Sequence, residues 1–157
     1  MILDGTAKTL QVVLAGAIAT SQLPVVVGYS ELDATAGTLT PAAADTQPNS
    51  TTAVTILTAP AASKQRVVDY LSVYNKDTAA ATVTVQVDVG GTTREEVKRT
   101  LQVGESLIFQ RGAGWLGPFD LAKLNGTTVD TNSGSKSAGT LRVVLASLAR
   151  QIAGGSG

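Results

Sequence analysis

Glu95-Glu96 is the only adjacent pair of carboxylates in the chain. In an extended strand neighbouring side chains point to opposite faces, so these two diverge and cannot share one substrate. The aspartates are scattered singly from Asp4 to Asp130. A glycosidase needs two carboxyls within about 5–10 Å of each other, and nothing in the spacing brings a pair together. Gly112-Ala113-Gly114-Trp115 lacks the third glycine and the strand-to-helix setting of a nucleotide fingerprint. It reads as a turn before an aromatic strand in which Trp115 and Phe119 cap the core. The sharper alternative is a stacking platform for sugars or bases. Asn49-Ser50-Thr51 and Asn125-Gly126-Thr127 match the glycosylation pattern, but no secretory signal supports them, and they read as loop residues. With no His and no Cys, a Ser-His-Asp triad, a Cys–His pair, a His- or Cys-ligated zinc and any disulfide are excluded. The expectation is a chain that is not an enzyme and takes no cofactor and no metal.

Composition narrows the class further. Of 157 residues only 15% are charged and 4% aromatic, and 12 Lys and Arg balance 12 Asp and Glu. A zero balance argues against counterion-driven binding to nucleic acid and against adhesion to an acidic membrane. It also removes the self-repulsion that keeps like subunits apart. No stretch reaches the ~20 apolar residues of a membrane span. Val12 to Ala19 imitates a signal peptide ending on Ala17-Ile18-Ala19, but Asp4 stands where a basic region belongs. The segment Thr9 to Ala15 (TLQVVLA) recurs as Thr140 to Ala146 (TLRVVLA), identical at six of seven positions. A β-forming phrase is the better reading of both copies.

The elements that must carry these residues are strands. From Ala81 to Val89, four valines alternate with Thr82, Thr84, Gln86 and Asp88, the period of a half-buried strand. Gly90-Gly91 breaks it. A two-residue turn there would set Arg94, Glu96 and Lys98 against the valine face. A three-residue, bulged turn instead pairs Val89 with Thr93 and Val85 with Val97, turns Arg94, Glu96, Lys98 and Thr100 to solvent, and adds Val97, Leu101 and Val103 to the core. Glu95 and Arg99 then stay on the inner face near the sheet margin. Further strands are expected at Leu23 to Tyr29, Thr51 to Thr58, Gln65 to Tyr74, Glu105 to Gln110 and Leu141 to Leu145. In Gln65 to Tyr74, Val67, Leu71 and Val73 share one face with Asp69, while Val68, Tyr70 and Tyr74 share the other.

Turn signals about every ten residues, without helical periods between them, predict an all-β fold: an antiparallel β-sandwich or jelly-roll-like domain with extended terminal arms. Residues 1–22 read as an N-terminal strand or arm, 23–120 as the sandwich core, and 121–157 as an extension with a final strand and flexible tail. Ala34 to Ser50, rich in Ala, Thr and Pro, reads as a connection over the surface. Asn125 to Gly139 reads as a mobile loop, Leu145 to Ile152 as a short helix and Gly154 to Gly157 as a linker.

Several phrases resemble small structural proteins of bacteriophage particles. The opening ILDGTAKTLQVVLAGAIATSQLPVVVGYSEL is similar to their N-termini, and the stretch from Thr51 to Arg94, with LSVYNKDT and ATVTV, resembles their β-sandwich body. GSKSAGTLRVVLAS resembles a strand phrase of tail and fibre proteins. The resemblance implies a non-enzymatic virion component, either a capsid decoration or head-fibre protein. The alternatives are a tail-associated adaptor or fibre, and a glycan- or receptor-binding tip. It implies a homo-oligomer, commonly a trimer, that contacts major capsid or tail proteins but neither nucleic acid nor membrane. The two copies of the repeated phrase, with the strand at Leu23, are the candidate assembly interface: Leu10, Val12, Leu14, Leu23, Val25, Leu141, Val143 and Leu145.

Overall fold

The computed structural model describes residues 1–117 together with 123–124 and 127–128. The chain divides into two compact units, Met1–Pro118 and Phe119–Gly157. In chain order the first unit contains β1 (Ile2–Asp4), β2 (Lys8–Leu14), β3 (Val25–Asp33), β4 (Thr38–Thr46), β5 (Val54–Leu57), β6 (Lys64–Tyr74), β7 (Ala81–Val89), β8 (Thr92–Leu101), β9 (Ser106–Gln110) and β10 (Gly114–Leu116). In the second unit β11 (Lys123–Leu124) pairs antiparallel with β12 (Thr127–Thr128). The expected strand at Leu141 to Leu145, the helix at Leu145 to Ile152 and the mobile loop at Asn125 to Gly139 lie wholly or largely outside the described residues.

The first unit is an antiparallel β-sandwich. Its larger sheet runs β10-β9-β6-β3-β4, with β1 also pairing β6, and its smaller sheet runs β5-β2-β7-β8. Valine and leucine at alternate positions close the space between them. Val25, Val27, Val68, Leu71, Val73 and Leu107 from the larger sheet meet Leu10, Val12, Leu14, Val83, Val85 and Leu101 from the smaller one. Each such fully buried side chain contributes about 1.5–3 kcal/mol of transfer free energy. Residues 1–22 supply strands that are built into the sandwich. β1 sits beside β6, and β2 lies inside the smaller sheet between β5 and β7.

Three expectations are corrected by local geometry. Gly90-Gly91 is a two-residue turn with φ of 60° and 93°, pairing Val89 with Thr92 and Val87 with Arg94. A bulge then leaves Glu96 unpaired, and from Val97 onward the register is the expected one, Val85 against Val97. The extra residue thus lies five residues past the turn instead of in it. Arg94, Glu96, Lys98 and Thr100 are exposed, as expected, and the first two also rim an open cleft. Val103 sits exposed in the β8–β9 turn, outside the core. In β6 a second bulge at Asp69 shifts the parity, since Gly28 pairs Tyr70 while Tyr29 pairs Val68. Val68 therefore joins Leu71 and Val73 in the core, and Val67 turns outward with Ile2. Finally, Thr38 to Thr46, expected as loop, is a full strand paired to β3 over nine positions. It lies at the edge of the sheet, where a strand tolerates Pro41.

One end of the sandwich is closed by two buried polar side chains. Asn75 (0% exposed) donates its amide to the carbonyls of Ala79 and Leu101, each at 2.9 Å, and accepts from the Asp77 N–H at 3.0 Å. Asp77 (2% exposed) accepts from the backbone N–H groups of Ala19 at 2.6 Å, Thr20 at 2.7 Å and Ser21 at 2.9 Å, and from the Thr20 hydroxyl. The Ala19 N–H, followed by those of Ser21 and Thr20, holds the Asp77 carboxyl far below the usual carboxylate range. Removing the amide in Asn75→Ala strands two carbonyls, and should cost about 3 kcal/mol in urea unfolding. Because the Asp77 pKa is depressed on folding, its contribution is complete above the unfolded value near about 4 and is lost as pH falls below it. Wild-type stability should therefore drop on acidification below about pH 4, and Asp77→Asn should be less stable at neutral pH with a flatter acid branch in pH-resolved thermal melts.

Candidate assembly surface

The residues expected to form an interface are placed in two ways. Leu10, Val12, Leu14, Leu23 and Val25 are core side chains, at most 3% exposed. Both edges of β2 are occupied by its own chain, and Val25 pairs with Val73 and Thr46 on either side. These five residues hold one sandwich together and do not present themselves to a neighbour. Leu141, Val143 and Leu145 lie outside the described residues.

The two outer faces of the sandwich differ sharply. On the smaller sheet the outward positions are Thr9, Gln11 and Val13 on β2, Thr82, Thr84, Gln86 and Asp88 on β7, and Thr93, Glu95, Lys98 and Thr100 on β8. They bond to one another, as in Gln86 to Gln11 at 3.0 Å and Thr82 to Thr100 at 2.8 Å. That face is a solvated one. On the larger sheet the outward rows mix apolar, small and a few polar residues: Leu116, Ile108, Ser72, Val26 and Asp45 across one row, Gln110, Tyr70, Gly28 and Ala43 across the next, and Gln65, Leu32 and Leu39 further on. Of the large apolar side chains exposed in the described residues, all but Val103 lie here: Ile2, Val26, Leu39, Tyr70, Tyr74 and Leu116. Leu39 is 62% and Val26 42% exposed. Exposed apolar side chains gathered on one face make it a candidate interaction surface. The sequence carried the signal in the tyrosines of QRVVDYLSVY, but the bulge at Asp69 and the strand nature of β4 hid how many neighbours share their face.

Asp69, midway along the central strand β6, is paired where it stands. Asp69 accepts from the Ser30 hydroxyl at 2.7 Å and from Arg111 at 3.1 Å, and the Ser30 bond, with Arg111 second, lowers its pKa. On the inward side of the far end, Glu31 bridges Lys64 and Arg66 at 2.9 Å each, which lower its pKa in that order. Arg66 also donates to the carbonyl and hydroxyl of Thr58, both at 2.7 Å, and stands 5.3 Å from the Tyr29 ring centre. Every member has a partner, so the cluster staples β3, β6 and the end of β5. It offers no free acid or base.

A second concave feature lies at the hairpin end. Trp115 packs on Phe109 with ring centres 5.2 Å apart, and the two rings, with Val87, Val89, Lys8, Arg94 and Glu96, line an open cleft of about 490 Å³. Phe119, the other expected cap, lies outside the described residues. Among the described residues no group of three or more His, Cys, Asp and Glu is placed to hold a metal ion. Glu95 pairs with Gln86 on the polar outer face, while Glu96 is the bulge residue at the cleft mouth, so the two carboxylates serve different surroundings. Comparison with protein-family models, curated proteins and solved structures finds no match for this chain. Since Leu10 is wholly buried, Leu10→Ala should act on folding, costing about 2–5 kcal/mol in a urea transition whose midpoint does not depend on protein concentration.

Proposed function

We propose that this chain is a non-enzymatic structural protein of a bacteriophage particle, of the capsid decoration or head-fibre kind, that works by docking β-sandwiches on the shell. The observation that carries the reading is the apolar outer face of the larger sheet, a surface suited to being covered in an assembly and ill suited to a free monomer. The polar opposite face then remains toward solvent. Sequence resemblance supports the same reading at a structurally meaningful place: LSVYNKDT is the segment whose Asn75 and Asp77 close the sandwich.

The finer alternatives are a tail-associated adaptor and a glycan-binding tip. The tip draws on one feature, the cleft floored by Trp115 and Phe109, because aromatic rings stack on sugar faces. Purified heads and tails of the encoding phage, stripped of this chain and incubated with it, separate the three. A decoration protein should bind heads at a fixed number of copies and raise their melting temperature. Binding to tails alone favours the adaptor, and glycan-array binding abolished by Trp115→Ala favours the tip. No binding to either particle fraction overturns the virion reading altogether.

A further inference from the structure

The cleft at the hairpin end carries polar groups that the sandwich does not use. Phe109 on β9 and Trp115 on β10 line it from the larger sheet, and Val87 and Val89 on β7 line it from the smaller one. Trp115 is half-buried: it packs on Phe109 and the core, and it also lines the cleft. Lys8 is engaged by Asp4. Arg94 and Glu96 stand exposed at the rim, and among the described residues neither side chain has a hydrogen-bond or ion-pair partner. An aromatic floor thus lies beside one unspent donor group and one unspent acceptor group.

We propose that this cleft binds a neutral hexopyranose unit of a saccharide, laid on Trp115 and hydrogen-bonded by Arg94 and Glu96. A pyranose ring has an apolar C–H face and an edge of hydroxyls, each both donor and acceptor. The indole offers a flat apolar surface to the face. A guanidinium supplies only donors and a carboxylate only acceptors, so the pair can hold neighbouring hydroxyls in both of their roles. Such bonds are charge-assisted and stronger than neutral ones. The cleft volume of about 490 Å³ falls within the roughly 300–1,000 Å³ of small-molecule sites.

Charge selects among ligands. Arg94 and Glu96 cancel, as do Lys8 and Asp4, so the cleft holds no surplus of either sign. A nucleotide needs uncompensated cations for its phosphates. An acidic sugar would bring its carboxylate close to Glu96, a like charge. A purely apolar ligand would desolvate both rim charges and return no hydrogen bond. A neutral sugar meets none of these costs. Phe109 and Trp115 face the interior between the sheets, with the core residue Leu71 paired beside Phe109. Docking through the outer face of the larger sheet therefore leaves both rings out of the contact.

The proposal goes beyond the structural role in a particle and is tested apart from it. Trp115 is the only tryptophan, so intrinsic fluorescence of the full-length chain reports on the cleft directly. Titration with maltotriose, cellotriose and mannotriose should give a saturable change with at least one of them, with a Kd on the order of 1 mM or tighter. Arg94→Ala and Glu96→Gln alter exposed side chains, and each should weaken that binding about tenfold or more with an unchanged thermal melt. Lys98→Ala, on the outer face of the smaller sheet, should leave it alone. No saturable response at about 10 mM of any of the three sugars overturns the proposal. So does unchanged affinity in either rim variant, or a response to uridine monophosphate or sialyllactose in place of the neutral sugars. Head binding by a chain that ignores saccharides would still leave the virion reading in place. Saccharide binding by a chain that ignores heads and tails alike would sink that reading and keep this one.

Discussion

The sandwich depends on a carboxylate that is nearly inaccessible to water. Asp77 collects the N–H groups of Ala19, Thr20 and Ser21, and Asn75 beside it holds the end of β8 and the β6–β7 loop. The Asn75 N–H also donates to the Glu105 carbonyl, and its carbonyl accepts from the Gly104 N–H, both at 2.8 Å. Three connections that cross between the sheets therefore meet at one point. A buried charge without partners would be strongly unfavourable, so the network tolerates only one arrangement of those loops. That arrangement sets how β3 enters the larger sheet after β2 has left the smaller one. The outer face that β3 and β6 build together follows from it.

The two outer faces divide the chemistry of the surface. Thr, Gln and a few charges cover the smaller sheet, where short side chains satisfy one another across strands. On the larger sheet the exposed large side chains are Val, Leu, Ile and Tyr, and Asp69 on the central strand is paired with Arg111. The proposed structural role in a particle draws on this asymmetry and calls for no catalytic group.

Much of the fold was legible in the sequence, because period-two valine patterns report strands directly. Val83, Val85 and Val87 announced β7, and the turn at Gly90-Gly91 followed from two residues that adopt positive φ freely. The bulges at Asp69 and Glu96 were not legible. A bulge changes which residues face inward without altering local composition, and it is decided by neighbours on another strand. β4 was missed because Ala, Thr and Pro carry little strand propensity, while an edge position asks little of them. The TLQVVLA phrase was read as β, correctly, but its pattern does not encode whether the edges of that strand are met by its own chain. In the structure they are, which moved the candidate surface from β2 to the outward residues of β3 and β6. Asn75-Lys76-Asp77 carried a usable signal, since Asx residues after a strand commonly bond to nearby backbone.

Pro41 has a consequence for how far such an association can grow. β4 closes one edge of the larger sheet, and a proline in the middle of it removes a donor that an added strand would need. At the other edge β10 is only three residues long, and in the smaller sheet β5 is short while β8 is bulged and charged. Among the described residues, then, no edge invites a strand from outside, so sheets cannot be extended end on end into a filament. Contact through a face saturates after one partner. The described sandwich is thus guarded against growth through its sheet edges.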